Sequence, residues 1–196
     1  MPRMIRYLTH PQVTVDPAIE VPRWSLNATG RARVAALAAA PGALRATTRI
    51  ISSDETKAIE TATPLAEALG LRVEVRPGLH ENDRSATGFL PPDAFEAVAD
   101  AFFAAPDTSV RGWETAFAAQ ARILAGVTAC LAEPSEGDVL FVGHGGVGTL
   151  LYCALAGLPI DRQHDQGPGG GGCWFGFAPG GRPAAGWEAM ETLSAP

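Results

Sequence analysis

Two histidines stand where short apolar runs stop. Met4-Ile5-Arg6-Tyr7-Leu8-Thr9 runs into His10, and Val139-Leu140-Phe141-Val142-Gly143 runs into His144. Imidazole is a nucleophile, a base and a cation near neutral pH. Between the two lies Ser52-Ser53-Asp54-Glu55-Thr56-Lys57, leading from an apolar run into a helical pattern. A helix start offers unpaired N–H groups and a positive partial charge, which suit phosphate or carboxylate, and Lys57 in the first turn adds a full charge. The loop Leu79-His80-Glu81-Asn82-Asp83-Arg84 holds an acid close to a cation. Partly buried beside the histidines, Glu81 would have a raised pKa and a proton to give.

Such groups work together only if the fold gathers them. Short apolar runs followed by turn residues and helical patterns read as strands of a buried parallel sheet. Strands are expected near 4–9, 49–52, 72–75 and 138–142, with closing strands near 173–177 and 187–190. Helices are expected from Thr29 to about Ala40, from a Ser53 or Asp54 cap to Leu69, over Asp93–Ala105, Trp113–Ala132 and Gly146–Ala156. Alternating strands and helices give an α/β class, with one domain over 1–196. Ligands in open α/β sheets sit outside the carboxyl ends of strands, where His10, Ser53 and His144 all fall. The polar loop Pro77–Pro92 is long enough to be functional, and 76–112 is expected to form a cap over the site. Glycine permits many conformations, so the Gln166–Gly172 loop reads as mobile. Phe89, Phe95, Phe102, Phe103 and Trp113 are candidates for an apolar entrance. The helical spacing of Phe95 and Phe102 favours core for those two, and Trp24 is placed near the mouth.

At 196 residues, 46% of them hydrophobic, the chain can bury a full core. Its net charge of −6, with no basic run, argues against nucleic acid or anionic lipid as partner. Cys130, Cys153 and Cys173 are odd in number and form no CxxC pair, which disfavours a disulfide framework or a zinc cluster. No segment reads as a signal peptide or membrane span, so a cytoplasmic location is expected.

Gly143-His144-Gly145-Gly146-Val147-Gly148 matches G-x-G-x-x-G, and Asp161 lies about twenty residues on, where a ribose-binding acid would stand. Too little chain follows to complete a dinucleotide-binding half, which weighs against nucleotide binding.

Taken in order, the motifs resemble those of the histidine phosphatase superfamily, the group that includes cofactor-dependent phosphoglycerate mutases. Thr9-His10-Pro11 stands where the family has Arg-His-Gly. Leu26-Asn27-Ala28-Thr29-Gly30 is similar to its Leu-Thr-x-x-Gly element. The stretch from Ser52 to Ala62 resembles Ser-Ser-x-x-x-Arg-Ala-x-x-Thr-Ala, Leu79-His80-Glu81 the acid-bearing loop, and Gly143-His144-Gly145 the late Gly-His-Gly. The resemblance implies a three-layer fold like that of phosphoglycerate mutase, with a mostly parallel central sheet flanked by helices. It also implies a phosphomonoester hydrolase that needs no metal or organic cofactor. His10 would attack phosphorus, Glu81 would protonate the leaving oxygen and then help activate water, and His144 and Lys57 would neutralise the phosphate oxygens. Thr9, Ser53 and Gly145 complete the implied phosphate contacts, and the substrate would be a small-molecule or protein phosphomonoester.

Two family arginines are absent. Thr9 offers a neutral hydroxyl and Lys57 lacks the two-pronged grip of guanidinium. Losing one preorganised donor costs about 3–4 kcal/mol. Arg84 is the candidate replacement cation. Pro11 lacks the N–H and the freedom of the family's glycine. A non-catalytic phosphate- or anion-binding module on the same fold is the alternative reading, and phosphoglycerate mutase activity is a further one.

Overall fold

The computed structural model describes residues 3–195. Six strands form one mixed sheet: β1 (Ile5–Thr9), β2 (Thr47–Ser52), β3 (Val73–Val75), β4 (Asp138–Gly143), β5 (Cys173–Phe177) and β6 (Glu188–Ala189). Their order across the sheet is β3-β2-β4-β1-β5-β6. The pairs β2–β3, β2–β4 and β1–β4 are parallel, while β5 runs antiparallel to both β1 and β6. The expected mostly parallel α/β sheet is therefore present, with its antiparallel part at one edge.

Alternation along the central strands divides the core into two layers. Ile5, Tyr7, Ile51, Val139 and Phe141 face one side and pack with α3 (Pro92–Ala104), α4 (Ala116–Ala132) and α5 (Gly145–Ala156). Leu8, Ile50, Leu140 and Val142 face the other and pack with α1 (Ala28–Ala39) and α2 (Thr56–Leu69). Both faces of the central strands are covered, which is why these runs are almost continuously apolar.

Local chemistry sets the ends of the helices. Asn27 caps α1 by accepting the Gly30 N–H at 2.9 Å. Gly30 must be small there, because a Cβ would lie 2.3 Å from the Gln12 carbonyl oxygen. Thus the Leu26–Gly30 element presses the chain after His10 against α1. The cap of α2 differs from expectation: Glu55 is the N-cap residue and makes no side-chain capping bond. Ser53 and Glu55 are instead drawn into the site. Likewise α4 begins after Thr115, which caps it, rather than at Trp113.

The glycine-rich loop is pinned, contrary to its composition. Gly172 N–H donates to the His10 carbonyl at 3.0 Å. Arg33 reaches across from α1 and donates to the carbonyls of Gly171 and Gly172 at 3.0 and 3.2 Å. Gly171 has φ +84°, and a Cβ on it would sit 2.2 Å from the His10 carbonyl oxygen. The glycines here allow close approach to the backbone of His10. Gly180 has a similar φ of +68° with open space around it. Gly180→Ala should therefore cost only the left-handed penalty of about 1–2 kcal/mol. Gly171→Ala should cost at least about 2 kcal/mol more, through the added clash. Urea denaturation of the two variants checks this; equal losses would mean that the loop is not packed on His10.

Candidate functional site

His10 follows β1 and His144 follows β4, and these strands pair in register up to Thr9 and Gly143. Their rings meet edge to face with centroids 5.3 Å apart. Two backbone bonds lock the strand ends together: His10 N–H donates to the Gly143 carbonyl at 2.9 Å, and Ser53 N–H to that of Val142 at 3.1 Å. Sequence reading passed over Tyr7, which anchors the second histidine. Its buried hydroxyl accepts the His144 N–H at 3.0 Å and donates to the His144 carbonyl at 3.2 Å. Gly143 leaves room for that hydroxyl, since a Cβ would lie 2.3 Å from it.

The Pro11 carbonyl assigns the His10 tautomer. His10 Nδ1 lies 2.9 Å from the Pro11 carbonyl, which can only accept, so Nδ1 carries the proton and Nε2 keeps its lone pair. Pro11 lacks an N–H, yet its carbonyl orients the ring. Ser53 Oγ accepts the Glu55 N–H at 3.3 Å and lies 2.7 Å from His144 Nε2. Either of these two atoms can donate to the other, and the remaining ring nitrogen is His144 Nδ1. That atom is buried and has no partner among the described residues. A buried orphan polar atom costs about 1–3 kcal/mol until a partner reaches it.

Neither ring is charged at neutral pH. Burial, reinforced by the charge of Lys57, pushes the His10 pKa down to about 4. Burial, with His10 beside it, holds His144 well below 6.5. His144 is therefore a neutral imidazole rather than the expected cation. Glu81 also departs from expectation. Burial works to raise its pKa, but the neighbouring His144, the Arg84 charge and the Gly146 N–H outweigh this and hold it below the usual carboxylate value. Its oxygens accept three backbone N–H groups: Gly146 at 3.0 Å, Val147 at 2.8 Å and Asn82 at 3.0 Å. Two of these belong to the first turn of α5. The chain's own carboxylate thus occupies the anion position of the glycine motif. Asp161 caps a short 3₁₀ turn rather than ending a strand, so the nucleotide reading fails on geometry.

Glu55 is the main residue that sequence reading missed. It is 6% exposed and sits beside the histidines. One oxygen accepts the Glu81 N–H at 2.8 Å and lies 3.6 Å from His144 Nε2. The other pairs with the Lys57 ammonium, which also donates to the Val21 carbonyl at 2.8 Å. Two of the three ammonium donors of Lys57 are thereby taken within the chain. Thr9 is committed too. Fully buried, its hydroxyl donates to Gln166 Oε1 at 2.6 Å and accepts the Cys173 N–H at 3.0 Å, so it holds the glycine-rich loop rather than facing a substrate. Ser53 acts on His144. Gly145 leaves space for the Gln166 amide, 2.4 Å from where a Cβ would lie.

Arg84 lies over the rings of Phe95 and Trp113, at 5.1 and 5.6 Å. Its side chain has no hydrogen-bond partner among the described residues, and its charge reaches Glu81, Lys57 and His144. It lines a cavity of about 560 Å³ together with Glu55 and Glu81. Of the five aromatics considered for an entrance, only Phe89 lines it, packed on Trp24 at 6.1 Å. Phe102, Phe103 and Trp113 are buried core, and Phe95 packs against them.

The chain belongs to the histidine phosphatase superfamily (branch 1), whose model matches residues 19–182. That span includes Lys57, Glu81 and His144 and begins beyond His10. No curated protein matches it in sequence. Among solved structures, a mycobacterial glucosyl-3-phosphoglycerate phosphatase with bound inorganic phosphate is similar at 26% identity and TM-score 0.72, over 90% of this chain and 89% of that one. Mycobacterial hydrolase 1 is 25% identical, with TM-score 0.73, over 90% of this chain and 91% of that one. Bacillus stearothermophilus YhfR shares the fold at 19% identity and TM-score 0.73, over 93% and 94%.

Two predictions follow from the charges. A histidine held neutral in the fold binds fewer protons than in the unfolded chain, so stability is complete above pH 6.5 and falls as pH drops towards about 4. Imidazole NMR shifts should show His10 titrating near 4, and the urea midpoint should fall over the same window; titration near 6.5 would contradict the buried, neutral assignment. Glu55→Gln should strand the buried Lys57 charge and destabilise the fold by about 3–5 kcal/mol. Inorganic phosphate should then raise the melting temperature more in the variant than in the wild type. Equal shifts would mean that the Glu55 carboxylate does not compete with phosphate.

Proposed function

We propose that the protein is a phosphomonoester hydrolase working through a phosphohistidine on His10. The carrying observation is the pair of imidazoles: one with a free Nε2 lone pair, the other with a buried Nδ1 that lacks a partner. With its proton on Nδ1, His144 would donate to a phosphate oxygen while phosphorus faces His10. Family membership and the likeness to a phosphatase support the same reading.

In this mechanism His10 Nε2 attacks phosphorus and the bond to the ester oxygen breaks. Glu81 is ionised at rest, so it takes its proton from the phosphate monoanion and passes it to the leaving oxygen. Water then attacks phosphorus, the P–N bond breaks, Glu81 receives the water proton, and phosphate leaves with His10 restored. His144 Nδ1–H and the Arg84 guanidinium stabilise the transferring group's oxygens. Arg84 takes the part of the missing arginine, since the Thr9 hydroxyl is turned to Gln166 and the Lys57 charge is offset by Glu55. Of the expected 76–112 cap, residues 80–89 wall the cavity while α3 packs into the core, and the substrate is a small-molecule or protein phosphomonoester.

Hydrolysis of p-nitrophenyl and benzyl phosphate from pH 4 to 9 tests this. His10→Ala should abolish turnover, and Arg84→Ala should lower it about a hundred- to a thousandfold. Glu81→Gln should slow benzyl phosphate about a hundredfold more than p-nitrophenyl phosphate, whose leaving group needs no proton. Turnover indifferent to His10→Ala would overturn the mechanism. Phosphate binding without turnover would favour an anion-binding module, which the commitment of Thr9 and Lys57 also suits.

A further inference from the structure

Asn82 follows Glu81 in the chain and leaves its side-chain amide unpaired. The residue is only 7% exposed, and its buried Nδ2 donor has no partner among the described residues. Its Oδ1 accepts no hydrogen bond from them either. Burying an amide without partners costs stability, so a role in holding the fold does not account for this side chain.

The neighbours of the amide are those of the proposed reaction. A Cβ on Gly146 would lie 2.7 Å from Glu81 Oε1 and 3.1 Å from Asn82 Oδ1, so carboxylate and amide stand together over the first turn of α5. Both residues line the cavity of about 560 Å³, which gives water a way to them. The cavity reaches the acid side of the centre rather than the rings, and Glu81 joins the two. Its N–H is held by the Glu55 oxygen that lies 3.6 Å from His144 Nε2, and its carboxylate holds the helix that His144 begins. That carboxylate has capacity left. Oε1 accepts from Val147 and Asn82, but Oε2 accepts only from Gly146 among the described residues, so Oε2 keeps a lone pair for one more donor.

Resting on the phosphatase reading above, we propose that Asn82 is a catalytic residue of the second step: with Glu81 it holds the water that hydrolyses the phosphohistidine. Asn82 Nδ2–H donates to one lone pair of this water, and one water proton points to Glu81 Oε2. The second lone pair is then the one free to attack. The O–P bond forms as the P–N bond breaks, the electron pair returns to His10 Nε2, and the proton passes to Glu81. Fixing the orientation of a nucleophile before it attacks lowers the barrier.

Stopped-flow and quenched turnover of p-nitrophenyl phosphate test this, because that leaving group departs without a proton. In Asn82→Leu the burst rate of p-nitrophenolate should be unchanged, while breakdown of the phosphohistidine slows about tenfold, the effect of one neutral hydrogen bond. The share of enzyme carrying phosphate on His10 in the steady state should rise with it. Asn82→Ala, which removes the amide without adding bulk, should give the same split and serves if the leucine variant does not fold. Loss of both rates together, or an unchanged breakdown rate, would overturn the proposal. Phosphoramidate can load His10 without any ester. Absence of phosphohistidine from the wild type with both reagents would overturn the phosphatase reading, and the water site with it.

Discussion

The parallel pairing of β1 with β4 is the contact on which the site depends. It aligns Thr9 with Gly143 and so sets the next residue of each strand, His10 and His144, side by side. With β2 pairing to the other side of β4, the same rule brings Ser53 to the same edge. Three strand ends separated by long stretches of sequence thus deliver two rings and a hydroxyl to one point. A slip of one residue would turn every side chain of a strand to the opposite face. Packing on both faces opposes such a slip, because each side chain fills its own place in one of the two helix-covered layers. The Tyr7 hydroxyl adds a second restraint, gripping His144 by both its N–H and its carbonyl.

Charge is the second constraint. The rings are neutral, so the fixed charges nearest the centre are Glu55 and Glu81 against Lys57 and Arg84. These four balance, and the site holds no surplus of positive charge for an anion. Lysine in place of arginine makes this arrangement possible: a compact ammonium fits between a carboxylate and a carbonyl, where a planar guanidinium would demand a wider fork. Arg84, stacked on aromatic rings, is the cation to which the proposed mechanism gives the phosphate. The N–H groups at the start of α5 help hold Glu81 ionised, so in the proposed mechanism it carries a proton between substrate oxygens rather than standing as an acid.

The sequence made the strand ends legible, because apolar runs that stop at histidine carry their own boundary. The helix end at Leu69 was equally plain, because Gly70 follows it with the positive φ that glycine favours. The role of Glu55 was hidden, since a carboxylate in a helix start looks like any solvated acid until the Glu81 loop closes over it. Thr9 looked like a weak stand-in for arginine, and only the packing of the 166–173 segment shows its hydroxyl turned away. The glycine-rich loop misled through composition, because its restraints come from Arg33 and the His10 carbonyl, both remote in sequence. Trp113 was read as helical and as a candidate for the entrance, but it lies in the core among Phe95 and Phe102, where aromatic area is worth most.

The central claim is a covalent phosphoryl group on one named nitrogen. The most direct measurement is rapid acid-free quenching of the enzyme during turnover of p-nitrophenyl phosphate, followed by peptide mass spectrometry and phosphorus NMR. The account predicts one phosphoryl group on His10, bound through Nε2, stable in base and lost in acid, and absent from His10→Ala. A phosphoryl group on another residue, or none while product accumulates, would contradict it.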